Sequence, residues 1–191
     1  MGYPQKRIAH IAPEEYLALE QRATAKHEYL DGVIYAWQGH APQAMAGGTL
    51  RHNRVSLNVA SSLRNQLKGG GCEVFMADVR LNKADRTAYF YPDVVVTCSA
   101  TDLAREDGIS EPSLVVEVLS DSTEDFDRGD KFAAYRDFPS LKVYVLVSPE
   151  RRTMEVFHRD ANWAASAASD TSPQLNLVKL VFNPVEIFEG F

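Results

Sequence analysis

The chain has 191 residues, of which 45% are hydrophobic and 24% are charged, proportions that are ordinary for a globular protein. We predict a single domain over residues 1–191, long enough to bury a core without disulfide or metal staples. The formal net charge of −6 argues against broad electrostatic attraction to nucleic acid or to anionic membranes, although it leaves room for a local basic patch.

The chain contains two cysteines, Cys72 and Cys98, which lie in or beside apolar strand patterns. They predict buried thiols in a reducing compartment, not a disulfide framework or a CxxC metal site. The sequence shows no signal-peptide pattern at its start and no apolar run of membrane-spanning length. We therefore expect a cytoplasmic protein without a membrane partner.

The first predicted helix begins at Ala12-Pro13-Glu14-Glu15, with proline early and acids in the first turn. Residues 20–28 are charged and are predicted to continue this helix or to form a second short one. Residues 29–37 read as an Asp-Gly turn entering a strand. Residues 39–48 are a predicted loop, and residues 49–68 have the apolar spacing of the longest helix.

Two alternating segments, 73–81 and 88–97, predict a β-hairpin. Residues 114–119 form a continuous apolar run, which is typical of a central strand buried on both faces. The hydroxyl and acidic residues of 120–124 offer N-caps for a helix that is predicted to end near Asp137.

The last third of the chain adds more strands. Residues 143–147 predict a buried strand, residues 153–158 an antiparallel edge strand, and residues 162–173 a loop. The order of all these elements predicts an α/β fold with a central mixed β-sheet flanked by helices.

Two carboxylates stand out against this apolar background. Asp93 follows a proline near the start of one strand, and Glu117 lies in the middle of another. If the strands are neighbours, both acids can face one cavity, where close carboxylates need a divalent cation or a shared proton. Oxygen ligands favour Mg²⁺ or Mn²⁺ over Zn²⁺. Alternatively, Asp93 closes a turn and Glu117 pairs with a buried Arg or Lys.

The predicted helix that follows carries a lysine between two other polar residues. Asp127, Lys131 and Tyr135 are spaced by four, so they share one helix face. Asp127 and Lys131 could form an exposed pair of little energetic value. Because Tyr135 and the neighbouring Phe132 suggest that this face is turned inward, we prefer a lysine that stabilises negative charge in a reaction.

This ordered set resembles the Uma2 family, a restriction-endonuclease-like branch of the PD-(D/E)XK nuclease superfamily. The resemblance extends from about Pro13 to Phe188, and no single motif in it is decisive. It is carried by Glu14-Glu15-Tyr16-Leu17, Glu28-Tyr29-Leu30-Asp31-Gly32, Tyr91-Pro92-Asp93, Glu117-Val118-Leu119-Ser120-Asp121-Ser122-Thr123, Asp127-Arg128 and Lys131…Tyr135.

The resemblance implies a restriction-endonuclease-like core with Asp93 and Glu117 as ligands of Mg²⁺ or Mn²⁺. It implies that Lys131 is the catalytic lysine and that Glu28 adds an acid from the N-terminal helical part. The superfamily pattern would place lysine two residues after Glu117, where this chain has Leu119. Strand alternation puts Leu119 on the same face as Glu117, so the lysine has to come from the next helix.

Further residues match polar positions of the family or lie beside the candidate site. His52, Asp78, Ser120, Asp127 and Tyr135 are accessory candidates. Each of three accessory candidates also has a purely structural alternative. His52 could be a hydrogen-bonded histidine on an amphipathic helix, Asp78 a structural acid, and Ser120 a helix cap.

The function implied by the resemblance is metal-dependent hydrolysis of DNA phosphodiester bonds, with DNA as partner and a homodimer as the expected assembly. The edge strand 153–158 offers a pairing surface for that dimer. Two alternatives remain open. One is a catalytically silent module that binds nucleic acid or protein, which the acidic net charge favours. The other is a hydrolase of small phosphodiesters.

Overall fold

The structure is a computed structural model that describes residues 6–36, 49–171, 173–175 and 178–190. The predicted loop 39–48 and Trp37 lie outside these residues. The helices are α1 (Pro13–Glu20), α2 (Leu50–Leu67), α3 (Ala100–Leu103), α4 (Glu124–Arg128), α5 (Asp130–Arg136) and α6 (Pro184–Ile187). The strands are β1 (Lys6–Ala9), β2 (His27–Leu30), β3 (Val33–Ala36), β4 (Glu73–Met76), β5 (Leu81–Asn82), β6 (Ala88–Phe90), β7 (Val94–Thr97), β8 (Pro112–Val118), β9 (Val143–Ser148), β10 (Thr153–His158), β11 (Ala165–Ala167), β12 (Gln174–Leu175) and β13 (Val178–Lys179).

Within the described residues, two larger sheets and the small β12-β13 pair build the fold. One larger sheet has the order β1-β3-β2-β6-β5, and the other has the order β11-β10-β9-β8-β7-β4. Strand β8 is antiparallel to β7 and parallel to β9, so the second sheet is mixed. The predicted α/β fold with a central mixed sheet is therefore confirmed.

The central strand β8 has a different partner on each face. Its even-numbered residues, such as Val116, pack in one hydrophobic cluster with α2, whose apolar stripe includes Val59 and Leu63. Val115, together with Leu119 just beyond the strand, packs in a second cluster with residues of α4 and α5. Strand alternation places Glu117 on this second face.

Helix α2 forms where the apolar spacing predicted it. Thr49 caps its start by accepting a hydrogen bond from the main-chain N–H of His52. The described part of the chain contains no helix with both the length and the apolar character needed to cross a membrane.

The predicted hairpin 73–81/88–97 is divided between the two sheets. Its outer half becomes β4 and β7 in the mixed sheet, whereas its inner half becomes β5 and β6 in the other. The division occurs at Ala77, which has a φ of +45°, and opposite it at Tyr91-Pro92. The change of direction brings Asp93 to the start of β7, at the junction of the two sheets.

The expectation of two free thiols is wrong. Cys72 and Cys98 form a disulfide, with their Cα atoms 4.1 Å apart. The cause is the register of β4 and β7, in which Glu73 pairs with Thr97. This pairing places the residue before β4 opposite the residue after β7, a relation that the sequence does not reveal.

Two predicted helical segments are also corrected. The charged segment 20–28 does not continue α1 as a helix, and its last two residues belong to β2. Tyr29 of β2 is buried in an aromatic cluster with Tyr16 and Tyr89, and this tertiary packing overrides the local polarity. The helix predicted to end near Asp137 is divided into α4 and α5 at Gly129.

The predicted edge strand is not an edge. Strand β10 pairs with β9 on one side and with β11 on the other. The segment 162–173, predicted as a loop, supplies β11. The backbone of β10 is therefore already paired and does not offer the dimerisation surface that the sequence suggested.

Candidate active site

The two acids singled out in the sequence lie side by side at the start of β7 and the end of β8. Val94 pairs with Val116, so the strand register brings Asp93 next to Glu117. The Val118 N–H donates to Asp93 Oδ2 at 2.7 Å, and the Asp93 N–H donates to Glu117 Oε2 at 3.4 Å. Both side chains are buried, with Glu117 2% and Asp93 7% exposed as residues.

Lys131 joins these acids from α5. Its Nζ lies 2.7 Å from Glu117 Oε1, 2.9 Å from Glu28 Oε1 and 3.4 Å from Asp127 Oδ1. The side chains of Lys131 and Asp127 are 5% and 3% exposed, so the reading of an exposed helix pair is wrong. The break at Gly129 leaves the two residues on one inward face.

Glu28 reaches the site from β2 and not from a helix, which corrects the predicted origin of this acid. Its Oε1 accepts hydrogen bonds from Lys131 Nζ and from the Tyr91 N–H, the latter at 3.2 Å. The site is therefore assembled where one sheet meets the other, with Glu28 from the first sheet and Glu117 from the second.

Two of the accessory candidates also contact the acids. Tyr135 of α5 donates from its hydroxyl to Glu117 Oε1 at 2.7 Å. His52 of α2 approaches from the other face of the mixed sheet, and its Nε2 lies 2.8 Å from Asp93 Oδ1. The structure thus brings His52, Asp127 and Tyr135 into the buried cluster.

The other two accessory candidates have different surroundings. The Ser120 hydroxyl lies 3.0 Å from the hydroxyls of Ser122 and Thr123, and so belongs to the turn before α4. Asp78 has an 85% exposed side chain and pairs with Lys26. Asp78 therefore does not join the carboxylate cluster.

One buried residue that packs beside the site was missed in the sequence. Tyr144 of β9 is fully buried, and its hydroxyl donates to the main-chain carbonyl of Asp127 at 2.8 Å. The signal was a tyrosine inside the apolar run 143–147, on the strand that pairs in parallel with β8. A buried phenol needs a hydrogen-bond partner, which is what Asp127 provides.

The cluster holds more negative than positive charge. Four buried carboxylates, Glu28, Asp93, Glu117 and Asp127, lie in the cluster with a single buried lysine, Lys131, so the formal charge of these five groups is −3 when His52 is neutral. Burial raises the pKa of Glu117 well above its usual range, although the Lys131 ammonium opposes this. Burial likewise raises the pKa of Asp127 from 3.8 to about 6, again against the effect of Lys131.

The basic and phenolic groups respond to the same charge. Burial lowers the pKa of Lys131, but the carboxylates of Glu117, Glu28 and Asp127 outweigh it and raise this pKa well above its usual value. Burial also lowers the pKa of His52, and its contact with Asp93 reverses the effect, so that the pKa is raised. Burial raises the pKa of Tyr135, with the Glu117 charge adding to it, and this phenol stays neutral.

The donor set fits a hard divalent cation by charge and by atom type. Asp93 and Glu117 offer adjacent carboxylate oxygens, which Mg²⁺ and Mn²⁺ prefer, and the surplus negative charge would be offset by such a cation. Among the described residues, no group of three or more His, Cys, Asp or Glu side chains is already arranged to hold a metal. A cation at this place would compete with Lys131 for Glu117 and with His52 for Asp93.

Comparison with known sequences identifies the family. The Uma2 family, described as "Putative restriction endonuclease", matches residues 13–183. The chain belongs to the Uma2 family. Two proteins of Synechocystis sp., each described as "Uncharacterized protein", are similar to this Uma2 chain. The first is 40% identical, and the match covers 84% of this chain and 81% of the relative. The second is 34% identical, and the match covers 80% of this chain and 84% of the relative.

A solved structure shares the fold. The crystal structure of a "putative nuclease belonging to DUF820" from Anabaena variabilis superposes on this Uma2 chain with a TM-score of 0.69 at 16% identity. The match covers 93% of this chain and 97% of the other. The restriction-endonuclease-like architecture predicted from the resemblance is thereby confirmed.

Proposed function

We propose that this Uma2 chain is a metal-dependent endonuclease that hydrolyses DNA phosphodiester bonds. The observation that carries the proposal is the buried convergence of Asp93, Glu117 and Lys131 at the junction of the two sheets. A surplus of carboxylates around one lysine gives no advantage to a core, because buried charges are costly unless they are paired. Such an arrangement is expected where a cation and a phosphate have to be held together.

Asp93 and Glu117 would hold a Mg²⁺ or Mn²⁺ ion. When bound, that ion supplies Lewis-acid chemistry, which makes water a better nucleophile and neutralises charge on the phosphate. Asp93 is oriented for this task by the Val118 N–H on Oδ2 and by His52 on Oδ1. Glu117 is oriented by Lys131 and Tyr135, which both contact its Oε1.

Lys131 would donate a hydrogen bond to the attacking water or to the scissile phosphate. Its raised pKa keeps it an ammonium ion at neutral pH, so it is an electrostatic donor and not a base. At present three carboxylates share this ammonium, and one of them has to yield to the substrate. Glu28, which belongs to the other sheet, is our candidate for that exchange, and its carboxylate would then orient the water.

The test is DNA cleavage in the presence of Mg²⁺ or Mn²⁺ by the wild type and by Asp93→Ala. We expect the substitution to abolish cleavage, because it removes one of the two metal ligands. The control is Asp160→Ala, which removes an exposed acid that is not part of the buried carboxylate cluster and should leave cleavage unchanged. Equal cleavage by wild type and Asp93→Ala would sink the proposal.

A second candidate function is a silent binding module that retains the fold. It is favoured by the net charge of −6 and by the full set of carboxylate partners around Lys131. Calorimetry separates the two: absence of Mg²⁺ and Mn²⁺ binding together with a stable dimer would favour the module. Generic phosphodiester substrates, assayed beside DNA, distinguish a small-molecule hydrolase.

Assembly and location remain predictions. A homodimer would have to use a surface other than β10, and within the described residues β4 and β11 are the outer strands of the mixed sheet. A monomeric mass in solution would contradict the dimer. The expected cytoplasmic location rests on free thiols together with the lack of signal-peptide and membrane-spanning patterns. The Cys72–Cys98 disulfide removes the first of these supports, because disulfides persist mainly in oxidising compartments.

A further inference from the structure

The two oxygens of the Glu117 carboxylate have unequal surroundings. Oε1 receives the Tyr135 hydroxyl at 2.7 Å and lies 2.7 Å from Lys131 Nζ. Oε2 receives a long contact of 3.4 Å from the Asp93 N–H. Both strong donors therefore act on one oxygen, and the oxygen that faces Asp93 retains most of its capacity to accept.

The Tyr135 hydroxyl has little freedom to move. Its ring is fully buried and packs edge-on against Phe90, with centroids 5.1 Å apart, and against Tyr144 at 5.4 Å. The hydroxyl extends in the plane of this fixed ring. In this contact the phenol hydroxyl is the donor and Glu117 Oε1 is the acceptor.

Lys131 alone would not fix Glu117 in this way. The ammonium has three carboxylate neighbours, Glu117, Glu28 and Asp127, and an ammonium is a point charge without a preferred plane. It also has to change partners in the proposed reaction. Tyr135 is thus the donor that remains on Oε1 when Lys131 turns to another acceptor.

We propose that Tyr135 is a positioning residue, which holds Glu117 with Oε1 toward Lys131 and presents Oε2, beside Asp93, to a divalent cation. This inference rests on the proposed function, because it concerns the same metal site. The metal does not contact Tyr135; the tyrosine acts through the orientation of Glu117. Partners that orient a ligand in this way typically change metal affinity by about 10- to 100-fold when they are removed.

The chain offers a matched control in Tyr144. Both tyrosines are fully buried in the same aromatic cluster, and both donate one hydrogen bond. The Tyr144 hydroxyl, however, donates to the main-chain carbonyl of Asp127 and not to a carboxylate. Tyr135→Phe and Tyr144→Phe therefore remove the same atom from equivalent packing, and they differ in whether Glu117 loses a donor.

The experiment is calorimetric titration of the full chain with Mn²⁺, for the wild type, Tyr135→Phe and Tyr144→Phe, each at a temperature below its own unfolding transition. We expect Tyr135→Phe to weaken Mn²⁺ binding by at least about 10-fold and Tyr144→Phe by less than about 3-fold. Equal affinities for all three proteins, or equal weakening by both substitutions, would overturn the proposal. A Tyr135→Phe chain that does not fold would also overturn it, because the hydroxyl would then serve the core.

Failure of this inference can be separated from failure of the proposed function. If the wild type binds Mn²⁺ and cleaves DNA, and Tyr135→Phe does both equally well, the positioning role alone is wrong. If the wild type binds no Mn²⁺, the metal site itself is wrong, and the inference falls with it. In an active enzyme, Tyr135→Phe should raise the Mn²⁺ concentration needed for half-maximal cleavage and leave the KM for DNA at saturating Mn²⁺ unchanged.

Discussion

Replacing Lys131 by methionine tests the electrostatics of the cluster in the folded protein. Methionine keeps most of the length and apolar volume of lysine, so the change removes the charge with little loss of packing. The formal sum of the four carboxylates and the lysine falls from −3 to −4. Removing one partner of a buried ion pair costs about 3–5 kcal/mol, because an uncompensated charge is left behind.

The expected loss depends on pH. A carboxyl that is protonated in the folded state lowers the free energy of unfolding by about 1.4 kcal/mol for every pH unit above its pKa in the unfolded chain. Asp127, with its pKa of about 6, and Glu117, with its strongly raised pKa, are the first to be protonated as the pH falls. We therefore expect Lys131→Met to lose about 3–5 kcal/mol at pH 8 and less than about 2 kcal/mol at pH 5.

The assay is urea unfolding followed by far-ultraviolet circular dichroism, with a chelator present to exclude divalent cations. Lys142→Met is the control, since Lys142 is exposed and its loss should change the free energy of unfolding by no more than about 0.5 kcal/mol. A loss that is the same at pH 8 and pH 5 would show that it comes from packing and not from the charge of Lys131. A loss below about 1 kcal/mol at pH 8 would also contradict the expected effect of that charge.

Three further predictions concern stability. The folded protein raises the pKa of Asp127 from 3.8 to about 6. The free energy of unfolding of the metal-free protein therefore falls as the pH rises from 3.8 to about 6, and the full loss is present above pH 6. Asp127→Asn should therefore raise the free energy of unfolding by about 1–3 kcal/mol at pH 8 in chelator, and a lower melting temperature would contradict this. The Cys72–Cys98 disulfide joins residues that are 26 apart in the sequence, so its reduction should lower the free energy of unfolding by about 3.5 kcal/mol. Finding two titratable thiols in the unfolded protein without reductant would contradict the disulfide. Gly108→Ala should lower the melting temperature more than Gly71→Ala. Gly108 has a φ of +114° and its new Cβ would meet a main-chain carbonyl, whereas the Cβ of Gly71→Ala meets open space. A larger decrease for Gly71→Ala would contradict this packing.

The parts of the fold that follow from short-range periodicity were predictable. Helix α2 shows its apolar stripe in the sequence, and β8 shows a run of apolar residues interrupted by Glu117. Leu119 occupies the position at which the superfamily pattern places a lysine, and it is buried in the hydrophobic cluster that includes residues of α4 and α5. As the resemblance implied, the lysine comes from the next helical segment: Lys131 lies in α5 and contacts Glu117.

The errors arose where a distant contact decides the local structure. Glu28 was assigned to a helix because its neighbours are charged, yet it lies in β2 and pairs with Lys131, 103 residues away. A charged residue in a strand looks misplaced until its partner is known. Similarly, the partner of Cys72 depends on the register of β4 and β7, and the covering of β10 depends on a segment poor in strand signals.

The division of one predicted hairpin between two sheets had the largest consequence for the site. Alternation in the sequence continues through the break, and a single positive φ at Ala77 changes the direction of the chain. The break releases Asp93 from a regular strand pair and lets its carboxylate accept from the Val118 N–H of the neighbouring strand. The sequence identified the acid, whereas its orientation required the tertiary structure.

The most direct test of the central claim is a crystal structure of the chain soaked with Mn²⁺, with anomalous diffraction used to locate the metal. We expect an anomalous peak at a metal ion bound by the carboxylates of Asp93 and Glu117, with Lys131 still within reach of the same site. In Asp93→Ala crystals treated identically, this peak should be absent. A peak elsewhere, or no peak at these two carboxylates at saturating Mn²⁺, would show that Asp93 and Glu117 do not form the metal site.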